Sequence, residues 1–390
     1  MKIALVGTRG VPARYGGFET AVEEIGARLA DAGHEVLVYC RSRSDDRLPG
    51  YRGMTLVHLP AVRSRVSETL SHTLLSVIDQ VFRRCDVAIV FNAANAPLLP
   101  VLRARGIPVA VHVDGLEWQR GKWGPIGRRY YRSAERTAVR LADALIADAR
   151  GIQDYYSREH RAPTWFIPYG APDTAGGGTA KLSAVDARPD GYHLAVARLE
   201  PENSLELVIG GYQRSNARLP LLVVGGAAYN PDYLRQLEDL AARDSRVRML
   251  GPVWDQELLD QLYGHARTYL HGHSVGGTNP SLLRAVGAGA PVIALDVSFN
   301  REVLDDDGRY FVSETDVATA IEAAESDPIG TGERGRRAHA SVLTRYSWDR
   351  VAQDYERLCL ALAARTAWEP PPDLYHGPPV APRRARRSPR

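Results

Sequence analysis

Short apolar runs alternate with longer stretches of helical spacing along the first half of the chain. The runs fall at 2–7, 34–40, 55–59, 86–91, 108–113, 143–147 and 164–168, and amphipathic stretches such as Thr20 to Ala32 and Ser67 to Arg83 lie between them. Apolar runs of that length read as buried strands, and their alternation with helices predicts βα units on a parallel sheet. The pattern breaks at Ala175-Gly176-Gly177-Gly178-Thr179 and restarts with Tyr192 to Arg198. Further strands are predicted at 219–225, 247–250, 267–271, 291–295 and 309–312. The chain therefore reads as α/β, with two doubly wound, Rossmann-like domains at 1–172 and 191–347 joined by a linker at 173–190. The helical stretch 348–364 follows the completed second domain and is placed to cross back to the first. Open sheets of this kind bind ligands at the carboxyl ends of their strands, so the active site is expected in the cleft between the two domains.

Bulk composition narrows the function classes without naming one. At 390 residues the chain exceeds the usual size of one hydrophobic core. No stretch approaches the roughly 20 apolar residues of a membrane-spanning helix. The apolar start, Met1 to Val6, turns at once into a glycine loop and is too short for a secretory signal. Cys40, Cys85 and Cys359 are far apart, each in or beside an apolar run, and read as buried free thiols. A cytoplasmic protein is expected on those grounds. The net charge of +3 is concentrated at the end of the chain: residues 365–390 hold six arginines against Glu369 and Asp373. The remainder is close to neutral, which argues against nucleic-acid binding by the folded body. The Pro- and Arg-rich tail, 365–390, is expected to be disordered.

Candidate chemistry gathers at predicted strand ends. The first strand runs into Gly7-Thr8-Arg9-Gly10-Val11-Pro12-Ala13-Arg14-Tyr15-Gly16-Gly17, which lacks the glycine spacing of a dinucleotide fingerprint. Gly16 and Gly17 precede a helix, where amides and the helix dipole favour an anion, and Arg9 and Arg14 add charge. A plain turn that needs glycine is the competing reading. His112 and Asp114 follow a strand end, as catalytic or acceptor-binding groups or as a pair that ties the loop together. The segment after them, with Trp118, Arg120, Lys122 and Trp123 and then Arg128, Arg129, Tyr130, Tyr131 and Arg132, suits an anionic membrane surface or a lipid diphosphate. An ordinary solvated helix face fits it as well.

In the second half, Arg198 to Asn203 leads from a strand into a helix, and arginine forks onto phosphate oxygens. Later, His271 to Arg284 passes from a strand through Gly276 and Gly277 into a helix that begins near Asn279 with Pro280 in its first turn. Thr278, Asn279 and Ser281 would offer hydroxyl, amide and backbone donors to a diphosphate. Two phosphate-friendly loops in one domain are unusual for mere turns. His271 and His273 alternate in a strand-like segment, which predicts that they face opposite ways and do not share a metal. Asp305-Asp306-Asp307 reads as a solvated turn, and no metal or cofactor is expected.

These motifs resemble a known family. Arg198 to Asn203 followed by Gly276 to Pro291 is similar to the donor-binding half of retaining GT-B glycosyltransferases of family 4. Gly7 to Pro12 with Tyr15-Gly16-Gly17-Phe18-Glu19-Thr20 resembles the N-terminal domain of a bacterial subgroup that includes rhamnosyltransferases of capsule and cell-wall polysaccharide assembly. His112 to Trp118 and Val275 to Leu283 match the same subgroup, and the likeness spans about residues 1–362. The resemblance implies that the C-terminal domain holds the nucleotide diphosphate and the N-terminal domain the acceptor. Arg198 would then grip the diphosphate, the Gly16-Gly17 loop would close over it, and the acceptor would approach His112 and Asp114. It also implies transfer with retention and without metal, onto a lipid-linked saccharide at the inner membrane face. Three positions depart from the family pattern: Asn203 replaces a lysine, and Gly276 and Arg284 replace two glutamates. Arg284 would restore the lost cation. A thymidine diphosphate rhamnose donor, lacking one ribose hydroxyl, fits the loss of a ribose-binding glutamate. A nucleotide-sugar epimerase of the same architecture and an inactive sugar-nucleotide-binding homologue are the competing readings.

Overall fold

The computed structural model describes residues 1–13, 16–42, 48–62, 68–113, 115–120, 123–226 and 231–374. Asp114, Arg14 and Lys122 therefore lie outside the described residues. The chain divides into two compact units, one of Met1–Pro168 with Trp348–Arg390 and one of Tyr169–Ser347.

The first unit is an alternating α/β layer structure. In order it comprises β1 (Lys2–Val6), α1 (Gly17–Asp31), β2 (Glu35–Arg41), β3 (Gly50–Tyr51), β4 (Met54–Leu59), α2 (Glu68–Arg83), β5 (Val87–Phe91) and α3 (Leu99–Ala104). It continues with β6 (Val109–His112), α4 (Pro125–Leu141), β7 (Ala144–Ala147), α5 (Arg150–His160) and β8 (Trp165–Phe166). The sheet order is β3-β4-β2-β1-β5-β6-β7-β8, parallel throughout except for β3 against β4. The central strands β5, β6 and β7 are buried at every position, as strands covered by helices on both faces must be. From β1 the chain winds to β2 on one side, and it later returns to place β5 on the other. That makes the β1/β5 junction the switch point of this sheet.

The second unit runs β9 (His193–Val196), α6 (Leu205–Arg214), β10 (Leu221–Val224), α7 (Pro231–Ala241), β11 (Val247–Gly251), α8 (Gln256–Gly264) and β12 (Thr268–His271). Then come α9 (Pro280–Gly287), β13 (Val292–Leu295), α10 (Ser298–Leu304), β14 (Arg309–Phe311), α11 (Glu314–Ser326) and α12 (Pro328–Arg345). Its sheet, β11-β10-β9-β12-β13-β14, is parallel, with the switch point between β9 and β12. Val208, Ile209 and Tyr212 of α6 close the core with Val317 and Ile321 of α11 over Val223, Leu270 and Ile293 of the sheet.

The last long helix, α13 (Trp348–Ala363), belongs to the first unit. Val351, Tyr355, Leu358 and Leu362 make a buried stripe at helical spacing. Arg28 of α1 meets Asp349 at 2.7 Å, and His34 meets Glu356 at 2.9 Å.

Two boundaries differ from the sequence reading. Residues 173–190 are packed into the second unit: the Thr174 amide donates to the Gly287 carbonyl, Leu182 is buried, and Lys181 pairs with Asp255 and Glu257. Their glycine-rich composition hid these anchors. Within the tail expected to be disordered from residue 365, residues 365–374 are packed. Ala367 and Leu374 are buried, the Trp165 indole donates to the Ala367 carbonyl, and Arg357 pairs with Asp373. Scattered prolines and arginines mask these two apolar anchors. Cys40, Cys85 and Cys359 are buried and free, and no helix among the described residues is long and apolar enough to cross a membrane.

Candidate active site

The loops that leave β9 and β12 lie side by side at the switch point of the second unit. The first turns through Pro201–Asn203, places Ser204 in a left-handed conformation and enters α6 with no cap from the Ser204 side chain, the Leu205 and Glu206 amides facing the Tyr233 hydroxyl instead. Glu206, the acid of that first turn, is spent on the Tyr233 hydroxyl. The second loop enters α9, where Asn279 caps the helix by accepting the Ser281 amide at 2.8 Å.

The two loops are fastened to each other. The Asn203 side chain donates to the Arg198 carbonyl at 2.8 Å, and its oxygen meets the His273 ring at 2.8 Å. The amide and hydroxyl of Ser274 both donate to the Glu202 carbonyl. Gly272 permits this approach, because a Cβ there would sit 2.2 Å from the Asn203 carbonyl oxygen. The Asn300 amide supports the His273 carbonyl from behind at 3.3 Å. With its backbone held in this way, Arg198 projects a guanidinium that is 36% exposed and 3.9 Å from buried Glu202. A positioned but solvent-facing arginine at a strand-to-helix junction is suited to a phosphate.

Other expected donor groups are placed less directly. Gly277 and Thr278 are buried in the second loop, with Gly276 beside the His273 ring. The Ser281 hydroxyl meets the buried Tyr263 phenol. Arg284 is turned into α8, where its Nε and Nη2 both lie 2.7 Å from Asp260. Its charge is thus neutralised within the fold rather than standing free in place of the family lysine. His271 and His273 do not face opposite ways: β12 ends at His271, strand alternation stops there, and the two rings come within 6.0 Å, both buried. No group of three or more metal-ligating side chains occurs among the described residues.

The equivalent loop of the first unit is built otherwise. Gly7, with φ +99°, brings the end of β1 against β5, where an added Cβ would meet the Phe91 carbonyl oxygen at 2.4 Å and Asn95 at 2.9 Å. The amide of Arg9 donates to Glu19 at 3.0 Å, and that of Ala13 to Glu23 at 2.7 Å. Gly16 and Gly17 begin α1, and the Glu19 carboxylate folds back against Gly16. The chain's own Glu19 carboxylate thus lies beside the helix start where an anion is expected, with no side-chain cap there.

His112 closes β6 and is 1% exposed. Its ring stacks on Phe91 at 5.6 Å and meets the edge of Phe18 at 5.3 Å. Burial drives its pKa down to about 3, so the imidazole is neutral at physiological pH. The segment that follows splits in two. Arg120 and Trp123 turn inward, where the Glu117 carboxylate takes the Arg120 guanidinium at 2.6 Å and the Trp123 indole N–H at 3.2 Å. Arg120, buried with Glu117, does not face outward as expected of an acceptor or membrane contact, while Trp123 is partly exposed. Trp118 instead lies under the Arg132 guanidinium, 4.2 Å from the ring centre.

Sequence reasoning missed His273, Asn300, Glu19 and Asp260. Only Glu19 carried a signal, an acid three residues after a helix-starting glycine.

Comparison with known proteins follows this geometry. Residues 16–170 match the glycosyl transferase 4-like domain, and residues 191–326 match the glycosyl transferases group 1 family. The O-antigen chain mannosyltransferase B of Escherichia coli is 31% identical over 122 residues, 30% of this chain and 32% of that protein. The UDP-N-acetylglucosamine–peptide N-acetylglucosaminyltransferase GtfA subunit of Streptococcus gordonii is 27% identical over 118 residues, 30% of this chain and 22% of that one. The chain thus spans about a third or less of the length of these curated relatives. Among solved structures, sucrose-phosphate synthase of Thermosynechococcus elongatus superposes with a TM-score of 0.78 at 20% identity, covering 93% of this chain and 99% of that one. Anabaena HepE in complex with UDP and glucose gives 0.75 at 16% identity, covering 93% and 100%. Such identities show the fold. The chain is built from a glycosyl transferase 4-like domain followed by a glycosyl transferases group 1 domain, on the GT-B fold.

Proposed function

We propose that this protein is a retaining, metal-independent glycosyltransferase that takes a sugar from a nucleotide diphosphate sugar and passes it to a lipid-linked saccharide in surface polysaccharide assembly. The observation that carries the reading is the fastened loop pair at β9/β12 with Arg198 held exposed at the strand-to-helix junction before α6. The second unit holds the donor. As the bond between the sugar and the diphosphate breaks, its electron pair goes to the diphosphate, and a cation and helix amides there stabilise the transition state more than the ground state. The acceptor hydroxyl forms the new bond on the same face of the sugar and gives up its proton to the departing phosphate oxygen. His112, neutral at working pH, serves as a hydrogen-bonding group toward the acceptor with Asp114 rather than as the base. The O-antigen relative supports a polysaccharide product, and the subgroup likeness of the first domain supports rhamnose, carried on thymidine diphosphate.

The test is incubation with a panel of nucleotide sugars in chelator, with and without a bacterial lipid extract. Nucleotide release that requires lipid, with the sugar recovered on a lipid product, is expected. A new nucleotide sugar without acceptor would establish epimerisation instead, and binding without turnover would establish an inactive homologue. Loss of activity in chelator, restored by magnesium or manganese, would refute metal independence.

A further inference from the structure

The first unit carries a second cationic site that the donor chemistry does not use. Arg128, Arg129, Arg132 and Arg136 of α4 line a cavity of about 970 Å³ with Trp118 and Gln119. No carboxylate among the described residues lies within ion-pair distance of these four guanidinium groups. The helix's one acid, Glu135, is buried and committed elsewhere, accepting from the Tyr155 hydroxyl at 3.1 Å. Arginines four residues apart on one helix face repel each other, so a face kept only for solubility would intersperse acids.

The cavity is also organised. The Trp118 ring beneath Arg132 fixes the plane of that guanidinium while leaving its N–H edges free to fork onto oxygen. The Arg128 Nε donates to the Trp123 carbonyl at 3.1 Å, which anchors a second arginine. Pro125, in the first turn of α4, lines the cavity too. Beside this rim Ile126 is 88% exposed.

We propose that this cavity binds a phosphate-bearing ligand of the diphosphate class, either free or as the head group of a lipid. A single phosphodiester would leave most of the guanidiniums unmatched, whereas a diphosphate offers oxygens to several forks at once. The apolar Ile126 at the rim fits a head group that hangs from a hydrocarbon chain.

The experiment uses the full chain in an Arg198→Ala background, so that anion binding at the donor loops is not counted. Inorganic pyrophosphate is titrated calorimetrically, and flotation is measured with phosphatidylcholine vesicles that contain or lack farnesyl diphosphate. The Arg129→Ala/Arg136→Ala pair is expected to weaken pyrophosphate binding by about 10-fold or more, with an unchanged melting temperature because both side chains are exposed. For a lipid-borne ligand, farnesyl diphosphate vesicles retain the parent protein, and Ile126→Ser weakens that retention without touching pyrophosphate affinity. For a free ligand, pyrophosphate binds in an arginine-dependent way and the vesicles retain nothing. Failure of the parent protein to bind either probe, or equal binding by the paired variant, overturns the site.

Discussion

The two sheets present the same topological opportunity, a helix start at a switch point, and treat it in opposite ways. At β1/β5 the loop amides of Arg9 and Ala13 are met by Glu19 and Glu23 of α1, with Glu19 lying against Gly16. At β9/β12 the first-turn acid, Glu206, is drawn off to Tyr233, which also takes the Leu205 and Glu206 amides, and Arg198 is left exposed at the junction. One loop supplies its own anion and the other is ready for a foreign one. The contrast teaches that glycines before a helix do not make a phosphate site; the nearest carboxylate's other commitments decide.

The largest effect expected from this contrast is on turnover. Arg198→Ala should lower it by roughly 100- to 1,000-fold, the usual cost of losing one donor to developing negative charge. Melting temperature is the folding control. Gly272→Ala attacks the fastening instead: its Cβ, 2.2 Å from the Asn203 carbonyl oxygen, forces the loops apart. Misplacement by an ångström costs about 100-fold in rate. Circular-dichroism melts should show a lower midpoint as well.

Glu19→Ala tests the other side of the comparison. It frees the Arg9 amide and removes the carboxylate beside Gly16, and should cost about 1 kcal/mol of stability in urea titrations while raising the phosphate affinity of the first loop. Unchanged phosphate binding would break the contrast. Arg284→Ala should matter little to rate, since the guanidinium is committed to Asp260; in a partly exposed pair its loss should cost no more than about 1 kcal/mol. A severe rate defect would instead place Arg284 in the donor grip.

The smallest expected effect is a pH signature at the other end of the same two strands. Glu325 meets His193 at the start of β9 and accepts the amides of Arg218 and Leu219. Burial raises its pKa, but these hydrogen bonds outweigh burial and bring it from 4.5 to about 2. A carboxylate depressed on folding contributes stability above its unfolded pKa, and that contribution is lost as pH falls from about 4.5 through 2. Glu325→Gln should therefore lower stability at pH 6 and flatten its decline between pH 5 and pH 3. An unaltered decline would remove Glu325 from the account.

Most of the fold was legible because buried parallel strands are continuous apolar runs, and each predicted run overlaps a strand of the sheets. β3 was missed because Gly50 and Tyr51 carry no period. The ordering of Ala367 and Leu374 escaped because two buried residues do not mark a segment of prolines and arginines as folded. At the site, Arg198 and the α9 start were legible since strand-to-helix junctions are local. The pairing of Arg284 with Asp260 and the inward turn of Arg120 were not, because each is set by a neighbour that packing brings close.

Amide hydrogen exchange on the intact protein, with and without a nucleoside diphosphate, tests the central claim most directly. The account predicts slowed exchange in residues 198–208 and 272–283, lost in Arg198→Ala, with residues 7–20 unchanged. Protection confined to residues 7–20, or protection at the β9/β12 loops that survives loss of Arg198, would contradict it.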